Sequence, residues 1–182
     1  MTNQEIPGKL VALAIEKFGR LDGMVINHGM LENAPLSATT MESFRYQFDV
    51  NVFSCLALAQ AGLQEIKKAN GAIIWISSGA SVKTYKAWGT YGATKAALNA
   101  ISSHMAVEEP DITSVAIQPG RVNTGMQALI RDTGKGVMDD KAYATFIEAY
   151  NTDDLLKPAQ PGSVIARVVA NPSKELSGKF MA

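Results

Sequence analysis

Cysteine is almost missing from this 182-residue sequence: Cys55 stands alone. A lone thiol rules out an intrachain disulfide framework and suits a reducing compartment, and its setting in NVFSCLALAQAGL marks Cys55 as a core filler. An excess of one charge is missing too. Seventeen Lys and Arg balance seventeen Asp and Glu, with no block of five like charges, so there is no electrostatic footprint for nucleic acid or anionic lipid. No apolar run approaches the ~20 residues of a membrane span. The first residues carry Lys9, Glu16 and Lys17 around the short run Val11 to Ile15, which is not the apolar core of a secretory signal. These absences lead to the expectation of a soluble, cytoplasmic protein acting on a small, roughly uncharged molecule, with no nucleic acid, no membrane and no metal site.

The length suits one domain, 1–182, built on an alternation of elements. Residues 4–19 predict a helix, with Leu10, Leu13, Ala14 and Phe18 at helical spacing and Gly19 as its stop. Met24 to Ile26 predict a short strand. A long helix is expected from Thr39, where Thr39 and Glu42 form a capping-box pattern, to Lys68, with its most polar interruption at DVN, 49–51. Asn70-Gly71 breaks it, and AIIWIS reads as a strand covered on both faces. A helix rich in Ala and Ser follows from Tyr91 to about Glu108. Next come a strand in ITSVAIQPG, a helix from about Pro161 to Ala170 and a strand in GKFM.

Strands alternating with helices predict an α/β protein with a parallel sheet and helices on both faces. Ligands of such sheets bind beyond the carboxyl ends of the strands, which directs attention to 27–29, 77–79 and 118–124. Residues 125–157 interrupt the alternation and carry Met126, Leu129, Ile130, Met138, Tyr143, Phe146 and Tyr150. They read as a helical substrate lid or as a surface excursion packed on the core.

Tyr91 and Lys95 are four apart at a helix start and so share a face. A phenol becomes a useful acid or base near neutrality only if its anion is stabilised, and a nearby ammonium does this. Ser78, at the end of the preceding strand, can hold a substrate carbonyl against the phenol. With five tyrosines and twelve lysines in the chain the pair alone is a weak signal. The signal is the constellation: pair at the head of a helix, serine thirteen residues earlier at a strand end, Pro-Gly turn after the next strand.

That constellation resembles the short-chain dehydrogenase/reductase family, whose members move a hydride between a nicotinamide cofactor and a carbonyl or alcohol. The resemblance rests on Tyr91, Lys95 and Ser78, on Asn51 in FDVNVF, on INHG and on PGRVNTGM. It implies a Rossmann-like fold and a catalytic set of Asn51, Ser78, Tyr91 and Lys95. Tyr91 would be the general acid in reduction, Ser78 would orient the carbonyl, Lys95 would bind the nicotinamide ribose and lower the tyrosine pKa, and Asn51 would hold a water of the proton relay. Asn27 and Gly29 would pass behind the cofactor. The Pro119-Gly120 turn would lead to Val122, meeting the carboxamide through its backbone, and to Thr124 near the pyrophosphate. The C-terminal segment and the insert look most like a fungal benzil-reductase and sepiapterin-reductase-like branch, which reduces diketones and related carbonyls. This implies NADP(H) rather than NAD(H), and a homo-oligomer formed through the helices containing Asn51 and Tyr91.

The sequence departs from the family in lacking its opening βαβ unit. No Gly-x-x-x-Gly-x-Gly or Gly-x-Gly-x-x-Gly occurs, so the expected sheet lacks the family's first three strands, and the adenosine half of the cofactor loses its cradle. Met24 to Ile26 would then be an open sheet edge, favouring association or poor solubility. The same loss leaves a second reading: a catalytically silent homologue acting as an oligomerisation partner. His28 replaces a small residue of the family's turn and reads as a solvated turn histidine, His104 as a surface or interhelical residue. Trp75 reads as core. Trp88 reads as loop packing, close enough in sequence to Tyr91 to line a pocket.

Overall fold

The computed structural model describes residue 3 and residues 5–182. Four parallel strands form one sheet in the order β1 (Gly23–Ile26), β2 (Ala72–Ile76), β3 (Thr113–Ile117) and β4 (Phe180–Met181). Every residue of β2 and β3 is buried, as their unbroken apolar runs require of strands covered on both faces. One face packs Ile26, Ile73 and Trp75 against α3 (Ser54–Lys68) and α4 (Gly89–Glu108). The other packs Ile74, Ile76, Val115 and Ile117 against Ile165, Val168 and Val169 of α7 (Ala159–Ala170). The indole of Trp75 donates to Ser114 Oγ at 3.0 Å, so the largest buried side chain leaves no orphaned donor.

α1 (Ile6–Phe18) ends at Gly19 in a left-handed conformation, φ 73°. Residue 4, the predicted start of this helix, lies outside the described residues. Of the predicted stripe only Ala14 is half-buried. Leu10, Leu13 and Phe18 are exposed, and Val11, Ala14 and Ile15 are the half-buried apolar side chains of a helix that packs on α3. Two apolar stripes overlap in this helix, and spacing alone does not rank them. The long helix begins one residue later than its capping pattern implied: Thr40 caps α2 (Met41–Phe48), accepting from Ser43 N, while the Thr39 hydroxyl donates to Pro35 O. β1 pairs with β2 alone among the described residues, so its other side is the open edge expected from the sequence.

Gly71 joins α3 to β2 where no side chain fits, since a Cβ there would lie 1.8 Å from Asp22 O. Relieving the clash means moving backbone, so Gly71→Ala is expected to cost about 3 kcal/mol, read from urea unfolding. Among the described residues, no helix is long and apolar enough to cross a membrane. The predicted insert forms α5 (Gly125–Thr133) and α6 (Asp140–Asn151). Ile130, Met138 and Phe146 are buried with Leu31 and Trp88, while Leu129 and Tyr150 face solvent.

Candidate active site

β2 delivers Ser77 and Ser78 to the carboxyl edge of the sheet, where a short 3-10 turn, Gly79–Ser81, redirects the chain. Three side chains clamp this turn. Ser77 Oγ donates to Asn99 Oδ1 at 2.6 Å, Asn99 Nδ2 donates to Ser81 Oγ at 2.9 Å, and Ser81 Oγ donates to Ser78 O at 2.6 Å. Ser78 is thereby fixed facing a cavity of about 820 Å³ that Tyr91 and Lys95 also line. Asn99, one helical turn beyond Lys95, was not singled out from the sequence, where it reads as one more polar residue on a small-residue helix.

Tyr91 and Lys95 sit in the first turns of α4, 6% and 3% exposed. Lys95 Nζ donates to Ile76 O at 2.8 Å and lies 5.8 Å from the centre of the Tyr91 ring. No carboxylate pairs with it among the described residues. Burial therefore drops the ammonium from its ordinary value to about 8. The expected depression of the tyrosine by Lys95 is not what the structure shows. Burial pushes the Tyr91 phenol up, partly offset by the Ser78 hydroxyl. The ammonium stands 5.8 Å from the ring centre and gives one N–H to Ile76 O, and desolvation wins.

Asn51 lies in a π-turn, Asp49–Phe53, inserted between α2 and α3; such turns recur at functional sites because one extra residue re-aims a side chain. Its Oδ1 accepts from Met30 N at 2.7 Å and its Nδ2 donates to Met30 O at 2.8 Å and Thr94 Oγ1 at 3.0 Å. Fully buried, it does not line the cavity. Its amide ties the β1 turn to α4, with both Nδ2 hydrogens and one Oδ1 lone pair given to protein partners. His28 is not a solvated turn residue: its Nε2 is 2.7 Å from Ser54 Oγ and 3.3 Å from Cys55 Sγ. Burial first, then the Lys95 ammonium, holds this imidazole below its ordinary value. Burial pushes the Cys55 thiol up to about 11, consistent with an inert core residue.

Every other residue assigned to the site from the sequence faces the cavity: Asn27, Gly29, Pro119, Gly120, Val122 and Thr124. Gly120 takes φ 82°, a conformation that favours glycine. Val122 pairs in parallel with Leu156 through Arg121 O and Asn123 N, so its own N–H and carbonyl point away from Leu156.

A nicotinamide cofactor fits these surroundings. Gly29 leaves a gap in which a Cβ would press on Asn51 Oδ1 and Lys95 Nζ, each at 3.3 Å, and Lys95 has N–H groups beyond the one given to Ile76. Lys83, Lys95 and Arg121 line the cavity, and no carboxylate does so among the described residues, which suits an anionic ligand. The opposite wall is aromatic. Trp88 packs against Tyr85 at 4.7 Å, Phe146 at 5.4 Å and Tyr91 at 6.0 Å between ring centres, and its indole donates to Asn33 Oδ1 at 2.6 Å.

The parallel sheet thus carries a buried Tyr–Lys pair and a serine above its carboxyl edge. The model of the short chain dehydrogenase family matches residues 1–135, and the chain belongs to that family of enzymes. It is 34% identical to an uncharacterized oxidoreductase of Schizosaccharomyces pombe, over 97% of this chain and 72% of that protein. It is 39% identical to the (S)-benzoin-forming benzil reductase of Saccharomyces cerevisiae, over 91% of this chain and 67% of that protein. Among solved structures, the KRED1-Pglu enzyme superposes with a TM-score of 0.95 at 34% identity, covering 98% of this chain and 75% of its own. A short-chain dehydrogenase/reductase of Saccharomyces cerevisiae superposes with a TM-score of 0.96 at 30% identity, covering 99% and 72%.

Proposed function

We propose that the chain reduces a ketone or 1,2-diketone, or oxidises the matching alcohol, with NADP(H) rather than NAD(H) as its hydride partner. The observation that carries this reading is the convergence of Ser78, Tyr91 and Lys95 on one cavity at the carboxyl edge of the sheet. A bound nicotinamide supplies the hydride. Ser78 holds the substrate oxygen, and Tyr91 passes its O–H proton to that oxygen as charge develops there. A phenol held above its ordinary value stays protonated through the neutral range, which favours the reductive direction. The ammonium of Lys95, 5.8 Å from the ring centre, opposes but does not cancel the burial penalty on the phenolate left behind.

Lys95 also offers its spare N–H groups to the cofactor ribose. Asn27, Gly29, Pro119, Gly120, Val122 and Thr124 form the surface against which the nicotinamide end lies, and Asn51 acts as a positioning residue through Met30 and Thr94. Helices α5 and α6 form the substrate lid of 125–157, contributing Met126, Ile130 and Phe146 to the cavity. The aromatic wall accommodates an aryl substituent, in line with the diketone acted on by the benzil reductase relative. The family commonly forms oligomers. In this chain, Tyr46, 52% exposed, and Phe53, 58% exposed, give the helix around Asn51 an apolar surface for a second copy.

The test is titration of NADPH and NADH by nucleotide fluorescence, with NADPH oxidation followed in the presence of benzil. NADPH binding at micromolar concentration and benzil-dependent oxidation are expected. An absence of binding at millimolar nucleotide would overturn the reading.

A further inference from the structure

Arg121 follows the Pro119-Gly120 turn and lines the cavity, and it also grips α6. Its guanidinium donates from Nη1 to Thr145 O at 3.0 Å and from Nη2 to Thr145 Oγ1 at 2.9 Å. Thr145 Oγ1 gives its own hydrogen to Ala142 O at 2.8 Å, so towards Arg121 it can only accept. The guanidinium carbon lies 4.3 Å from the centre of the Phe146 ring, within cation–π range. Phe146, 3% exposed, packs on Trp88 at 5.4 Å, and Trp88 packs on Tyr91 at 6.0 Å. The backbone is engaged too: Arg121 O accepts from Leu156 N at 2.9 Å, where the insert of 125–157 ends. No carboxylate pairs with Arg121 among the described residues, so its charge is answered on α6. Unbroken contacts therefore run from the strand-end turn through Phe146 and Trp88 to the phenol ring. From the sequence alone Arg121 reads as a charged turn residue, because Thr145 lies 24 residues further on.

We infer that Arg121 is a positioning residue of the aromatic wall: it holds α6 against the turn after β3, and so gives the cavity its preference for carbonyl compounds that carry an aryl group. The inference rests on the carbonyl-reductase reading and names the residue that sets its substrate class. Phe146 is the one residue of α6 that lines the cavity among the described residues, so any drift of α6 is felt there as drift of that ring. A guanidinium suits the task because its planar fork meets the carbonyl and hydroxyl of Thr145 while its face stacks on Phe146. An ammonium cannot do both. A phenyl group next to the reacting carbonyl uses the wall, and a methyl group does not.

Two substrates test this by NADPH oxidation: 1-phenyl-1,2-propanedione and 2,3-butanedione, which differ by a phenyl in place of a methyl. The wild type is expected to favour the phenyl diketone in kcat/KM, and Arg121→Met to reduce that preference by about tenfold. The change should fall on KM, because the wall binds substrate and transition state alike. Any effect on NADPH is common to both diketones and cancels in the ratio. Arg121→Lys should not restore the preference. Thr145 is exposed and outside the cavity, and Thr145→Val should lower the preference about threefold in the wild type and not at all in Arg121→Met. An unchanged preference in Arg121→Met or in Thr145→Val overturns the inference while leaving carbonyl reduction intact. Full recovery in Arg121→Lys overturns it as well, since charge and not the fork would then decide, and so does an additive effect of the two substitutions. Calorimetric titration of the phenyl diketone repeats the comparison without turnover. Binding about tenfold weaker in Arg121→Met is expected, and equal binding, or none to the wild type, overturns the inference. If the wild type binds the phenyl diketone and reduces neither compound, the reductase reading fails, and the ratio of affinities still decides for or against Arg121.

Discussion

Tyr91→Phe is expected to lower kcat by about three orders of magnitude while leaving the NADPH dissociation constant within about twofold. The phenolic oxygen is buried on the cavity wall that Ser78 also lines, and its sulfur contact, Met126 at 4.0 Å, is too weak to anchor a cofactor. Phenylalanine keeps the ring that packs on Trp88 at 6.0 Å, so the wall keeps its shape and only the proton is lost. Single-turnover rates and fluorescence titration separate the two effects. A variant retaining more than a tenth of wild-type kcat would remove Tyr91 from proton transfer.

Lys95→Met is the second large expectation, because in the proposed function this one side chain binds the cofactor and also governs the response of stability to pH. The folded state lowers the Lys95 pKa to about 8 from 10.5, so between those values the unfolded chain binds more protons than the folded one. Stability then rises with pH across the window, by about 1 kcal/mol between pH 8 and 9. Below 8 the ammonium is charged in both states and its burial cost is fully present. Cys55 opposes the trend: its thiol is raised to about 11 from 9.0, so its contribution falls above pH 9, and Tyr91, also raised, acts in the same direction. Between pH 8 and 9 the rise from Lys95 outweighs the smaller fall from Cys55. Urea midpoints of the wild type should climb there and those of Lys95→Met should not. At pH 7 the variant should gain about 2 kcal/mol, the recovered desolvation less the bond lost at Ile76 O, and NADPH affinity should fall at least about tenfold. A variant as tight for NADPH as the wild type would detach Lys95 from cofactor binding.

The strands were legible because composition alone decides them: an unbroken AIIWIS has no polar face to turn outward, and β2 is buried throughout. The stop at Gly19 and the break at Asn70-Gly71 were legible because few residues take a left-handed φ, 73° at Gly19 and 48° at Asn70. The face of α1 was not, since Leu10 and Val11 are adjacent and only the position of α3 decides between them. Ser78, Tyr91 and Lys95 could be found because their chemistry depends on spacing along a strand end and a helix start. The charge balance at Tyr91 depends instead on how deeply the pair is buried, which spacing does not record. His28 meets Ser54 and Cys55 across 26 and 27 residues of chain, and Asn99 meets Ser77 and Ser81 across 22 and 18. Neither leaves a local pattern.

The π-turn at Asp49–Phe53 has a mechanical corollary for anyone shortening or redesigning this helix. One surplus residue puts the side chains of α2 out of phase with those of α3 by about 100°. Deleting a single residue there would heal the rod into a continuous regular spiral, gaining backbone order while swinging the Asn51 amide off Met30. The protein would grow straighter and lose the brace between its first strand and the helix that carries Tyr91 and Lys95.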